Sequence, residues 1–120
     1  MTETIKNDDY IFNYISNKSI KNIMTDEIKY FSSDKRKICM VKTDNEKIEF
    51  YGKLSDIEAD LSKVPFVRTH QSYLVNYYLI RSRTKIEITL VNGKKLPISE
   101  ERQKYFNQQY SHLLGGEINV

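Results

Sequence analysis

Phe66-Val67-Arg68-Thr69-His70-Gln71-Ser72-Tyr73-Leu74-Val75-Asn76 is the stretch on which the reading of this chain turns. Phe66–His70 reads as a short strand and Ser72–Asn76 as a second short apolar segment, with Gln71 between them. Pro65 stops whatever precedes this stretch, because proline lacks the N–H that a helix would need. Polar side chains able to donate or accept hydrogen bonds therefore gather at one reversal of a chain that is otherwise apolar.

Outward from there, short apolar runs rich in Ile, Val, Tyr, Phe and Thr recur every 8–12 residues, the pattern of a mostly β domain. Upstream strands are expected at Tyr10–Ile15, Ser19–Ile23, Ile28–Ser32, Ile38–Thr43 and Lys47–Tyr51. Ser16–Ser19 and Asp44-Asn45 are turns, and Met24–Glu27 is a tight turn or a single helical turn. Leu54, Ile57, Ala59 and Leu61 outline a short amphipathic helix with Ser55 as N-cap. Downstream, Tyr78–Arg83 and Lys85–Val91 are strands, Asn92-Gly93 is a hairpin turn, and Lys94–Ile98 returns from it. Ser99 caps a last helix from Glu100 to about Leu114, with Phe106, Tyr110 and Leu113 as its buried stripe. The fold class expected is mainly β: compact, mostly antiparallel, with one mid-chain helix and one C-terminal helix.

The chain's 120 residues suit one domain, assigned to residues 10–114, between a flexible segment 1–9 and a tail 115–120. Its net charge of +3 is unevenly spread. Residues 1–62 carry 10 Lys+Arg against 12 Asp+Glu, whereas residues 63–104 carry 9 against 3. A basic block in a folded segment suits a polyanionic partner. The lone Cys39 excludes an internal disulfide and a Cys-rich zinc site, and fits a reducing, cytoplasmic setting. MTETIKNDDY lacks the apolar core of a signal peptide, and no run reaches the length of a membrane span. A Cys39–His70 hydrolase is disfavoured, since Cys39 lies in an expected strand among Ile38, Met40 and Val41. Phosphate loops, H-E-x-x-H and nucleophile elbows are absent, so neither an enzyme, a cofactor nor a metal is expected.

Taken together, three stretches resemble the LytTR family. Phe66–Asn76 matches the pattern F-x-R-x-H-x-S-[YF]-[LV]-V-N, and Asn92–Ser99 resembles the G-x-x-[LI]-P-[VI]-S hairpin that leads to a last helix. Ile28–Phe31, the polar loop, the Ile38–Phe50 hairpin and the Leu54–Leu61 helix follow in the family's order, so the resemblance spans Tyr10 to Leu114. It implies three short, mostly antiparallel sheets whose loops enter successive major grooves of double-stranded DNA at direct repeats. It also implies pairing of two copies on DNA, bending of the duplex, and carriage behind a phosphoacceptor receiver domain of a bacterial response regulator.

Three loops carry the expected contacts. In the first, Arg36 and Lys37 reach bases or phosphates, supported by Lys35. The second supplies Arg68, His70, Gln71 and Ser72; Gln71 can pair with both N6 and N7 of adenine, while His70 has a structural alternative beneath the loop. In the third, family members often place Arg directly after the Ser, but Glu100 and Glu101 stand here, which shifts the expected contact to Arg102 and Lys104. Lys94 and Lys95 are expected as supporting phosphate contacts. The alternative reading is a non-catalytic β domain that binds RNA or a protein.

Overall fold

The computed structural model describes residues 10–113, excepting the side chains of 107 and 109–113. Ten strands and two helices build three antiparallel sheets. β1 (Ile11–Ser16) and β2 (Ser19–Met24) form a hairpin, closed by Asn17 and Lys18, both at positive φ. Two successive left-handed residues match the right-handed twist of the strands. A single 3₁₀ turn, Thr25–Glu27, then leads into the central sheet.

That sheet holds β3 (Ile28–Asp34), β4 (Lys37–Lys42), β5 (Lys47–Tyr51), β6 (Phe66–His70) and β7 (Tyr73–Asn76), in the order β5-β4-β3-β7-β6. Between β5 and β6 lies α1 (Leu54–Asp60). Its N-cap is Lys53, not Ser55: Lys53 is extended, and its carbonyl accepts from the Asp56 and Ile57 amides. Burial of Leu54 starts the helix two residues earlier than a Ser55 cap would and puts Ser55 inside the first turn. The third sheet joins β8 (Ile80–Arg83), β9 (Glu87–Leu90) and β10 (Lys95–Pro97). The strand expected from Tyr78 begins only at Ile80, because Tyr77–Leu79 form a 3₁₀ turn capped by the Asn76 side chain, which accepts from the Tyr78 amide. α2 (Glu100–Leu113) follows β10.

Alternation along the strands gives the central sheet two apolar faces. Phe31, Ile38, Met40 and Leu74 face one way, onto Phe12 of β1 and Leu54, Ile57 and Leu61 of the α1 segment. Tyr30, Val41, Val67 and Val75 face the other way, onto Ile88, Leu90, Leu96 and Ile98 of the third sheet and Phe106 of α2. Of the stripe expected on α2, Phe106 is fully buried; Tyr110 and Leu113 have side chains outside the described residues. Asn76 ties two neighbouring strands of the central sheet, its side-chain amide donating to the Ile28 carbonyl at 3.0 Å.

Candidate nucleic-acid interface

Strand direction decides which loops meet. β3 runs into a two-residue turn, Lys35-Arg36, closed by the Asp34↔Lys37 pair. Its neighbour β7 is antiparallel, so β7 starts where β3 ends: Ser32 pairs with Tyr73, and the Ser33 amide donates to the Ser72 carbonyl at 3.0 Å. The β6–β7 turn, with Gln71 and Ser72, therefore stands beside the β3–β4 turn. β6 delivers Thr69 to the same end, where the Thr69 carbonyl accepts from the Ser99 amide at 2.9 Å and moors the start of α2. All three segments expected to contact DNA thus emerge at one end of one sheet.

The mooring depends on a bulge. Arg68 pairs with Leu74 and His70 with Tyr73, which leaves Thr69 as an extra residue. A bulge releases one peptide from the ladder and re-aims it. Here the released carbonyl turns to α2. The Thr69 Oγ1 and Ser99 Oγ hydroxyls are buried without a hydrogen-bond partner among the described residues, so Ser99 does not cap α2 with its side chain as expected.

Exposure divides the expected contacts. Lys35, Arg36, Lys37, Gln71 and Lys104 are exposed, and His70, Ser72 and Arg102 are half-buried. Lys35 has a positive φ of 60°, which sharpens the turn and lifts Arg36 to its tip. Lys37 lies 3.5 Å from Glu49, but both side chains are more than half exposed, so this pair leaves Lys37 available to another anion. Arg102 rests over the Tyr105 ring at 5.6 Å.

Arg68, expected to contact DNA, is instead buried, and its guanidinium hydrogen bonds run inward. Nε donates to the His70 carbonyl (2.9 Å), Nη2 to the Gln71 carbonyl (2.7 Å), and Nη1 to Glu58 Oε1 (2.7 Å). The guanidinium fork fixes two successive carbonyls of the turn and is itself neutralised by Glu58. Arg68 is thus a positioning residue for Gln71. His70 is hydrogen-bonded within the same turn: its Nδ1 accepts from the Ser72 amide at 3.0 Å. Sequence reasoning missed Glu58, because nothing local reveals a pair formed across the α1–β6 connection.

Lys94 and Lys95 are not brought to this end. They follow the Asn92-Gly93 turn, where Asn92 reaches Asn45 in the β4–β5 turn at the opposite end of the central sheet. Lys95 is paired with Glu87 at 3.3 Å. Sequence reasoning also missed the end of β5. The Gly52 amide donates to the Arg36 carbonyl at 2.8 Å, and Arg36, Tyr51, Gly52, Lys53 and Asp56 line one open recess. The interface end thus carries Lys35, Arg36, Lys37, Lys53 and Arg102, opposed by Asp34, Asp56, Glu100 and Glu101.

Among known proteins, the family model described as LytTr DNA-binding domain matches residues 18–111. The transcriptional regulatory protein NatR of Bacillus subtilis is 27% identical over 102 residues, which is 80% of this chain and 44% of that protein. The sensory transduction protein LytT of Enterococcus faecalis is 26% identical over 85 residues, 67% of this chain and 35% of that protein. The chain therefore spans less than half the length of these relatives. A solved LytTr DNA-binding domain of a response regulator from Bacillus cereus superposes with a TM-score of 0.70 at 18% identity, covering 83% of this chain and 95% of that one. No helix among the described residues is long and apolar enough to cross a membrane.

Proposed function

We propose, from the premise that this chain belongs to the LytTr DNA-binding domain family, that residues 10–114 read a double-stranded site in transcription regulation with turns instead of an inserted helix. One observation carries the reading at the level of residues: the turns bearing Arg36 and Gln71 and the start of α2 share one end of the central sheet. Arg36 suits guanine and Gln71 suits adenine, each through paired hydrogen bonds to a base edge. Lys35, Lys37, Ser72, Arg102 and Lys104 serve the flanking phosphates, which position without specifying. Arg68 and His70 hold the Gln71 turn in shape. The site is a direct repeat with turns in successive major grooves, filled by two copies of the chain. Where the domain is carried in a longer parent chain rather than standing alone, an upstream receiver domain would control that pairing, in the cytoplasm.

Glu100 and Glu101 are exposed in the first turn of α2 and repel phosphates. They keep a second reading, RNA or protein binding, in contention. Selection of duplexes from a random pool, followed by fluorescence anisotropy, separates the two. The selected duplex is expected to bind about a thousandfold more tightly than a scrambled one. Equal affinity for both, or preference for single-stranded RNA, would discard the DNA reading.

A further inference from the structure

We propose that Tyr51 and Lys53, at the end of β5, form an outer contact with the DNA sugar–phosphate backbone, beyond the base-reading turns. The inference rests on the DNA-binding reading above and deepens it. β5 is the edge strand of the central sheet, on the far side of the β3–β4 turn from Gln71. Tyr51 pairs with Lys37, and the Gly52 amide is bound to the Arg36 carbonyl at 2.8 Å. The β5 end is therefore fixed to the flank of the turn that carries Arg36.

Position sets the type of contact. Adjacent strands lie about 4.8 Å apart, against a rise of about 3.4 Å per nucleotide along one DNA strand. The β5 end thus lies one to two nucleotides outside the reach of the β3–β4 turn, at the margin of the footprint, where side chains meet phosphates and sugars. The chemistry fits that place. Tyr51 is 82% exposed, a large aromatic held in water at a strand end, and its hydroxyl can donate to a phosphate oxygen. Lys53 is exposed and cationic, and its backbone is held extended by the hydrogen bonds that start α1. Asp56 also lines the recess and repels an anion, so a phosphate is held on the Tyr51–Lys53 side of it. The opposite flank bears Glu100 and Glu101, so this flank supplies the stronger hold.

The test uses the duplex selected by the wild-type chain. Lys53→Ala should weaken the selected duplex and single-base variants of it by the same factor, and lower the salt-dependence slope by about 0.9. Tyr51→Phe should weaken binding about three- to tenfold, the worth of one ordinary hydrogen bond at a solvent-exposed place. Both should shorten hydroxyl-radical protection by one to two nucleotides at the outer flank. Lys47→Ala, at the opposite end of β5, should change none of these. The proposal is overturned if the wild-type chain protects its site and either substitution leaves both affinity and the protected stretch unaltered. Wild-type binding that does not distinguish selected from scrambled duplex would instead sink the DNA reading itself. Circular dichroism checks that each exposed substitution leaves the fold intact.

Discussion

Arg68 and Gln71 stand three positions apart in one turn and meet opposite surroundings. The Arg68 side chain is 8% exposed and bound to Glu58, which is 28% exposed. Removing the cation strands a carboxylate against the protein, a loss of about 3 kcal/mol at the lower end for buried pairs, since Glu58 keeps part of its hydration. Arg68→Ala should therefore move the urea midpoint well down. Gln71→Ala should leave that midpoint unmoved and cost about 1–3 kcal/mol of binding at a single base position. A destabilised Gln71→Ala, or an Arg68→Ala of normal stability, would reverse the two roles. The motif announced both residues, but not which one points inward. That depends on a partner ten residues upstream, and on a bulge that no propensity signals.

Elements were more legible than their ends. Every strand expected is present, each carried by a short run of β-branched, aromatic and other apolar residues bounded by turns. The boundaries moved where tertiary contacts outweighed local preference. Ser55 lost the cap to Lys53 because Leu54 is drawn into a core, and Tyr78 left its strand because the Asn76 side chain captures the Tyr78 amide. α2 illustrates the same dependence. Its first turns are held by the Ser99–Thr69 hydrogen bond and by Phe106, which is fully buried in the core shared by the central and third sheets. Phe106→Ala should cost about 3–5 kcal/mol. Amide exchange should show α2 losing protection before the central sheet does; uniform loss across both would mean that the helix is integral to the sheet's cooperativity.

Across the whole molecule, burial and charge set the response to alkali. Burial, then the Glu49 carboxylate, holds the Cys39 thiol above its usual range. Burial, then Tyr73 and Cys39, does the same to the Tyr30 phenol. The folded chain thus keeps both protons more tightly than the unfolded chain does. The stability that follows is complete below the ordinary values and fades as pH climbs past roughly 8.5 for the thiol and 10 for the phenol. Urea midpoints should fall between about pH 8 and pH 10.5, and Cys39→Ser should remove the earlier part of the fall. A midpoint that rises over that interval would contradict the assignment.

The general architecture was legible at this scale from the spacing of turns and apolar runs, and the resemblance ordered them. The gathering of three loops at one end was expected through the resemblance, but its cause was not legible: it is the strand order β5-β4-β3-β7-β6, in which non-consecutive strands are neighbours. That sheet is clad on both faces, so its strands have no room to slide past one another. On the DNA-binding reading, a scaffold held in this way would leave misfit to be absorbed by the nucleic acid. Bending a site of 20–30 base pairs through 40–90° costs on the order of 1–6 kcal/mol, less where flexible pyrimidine–purine steps occur. Base pairs that no side chain touches would then be chosen for their compliance.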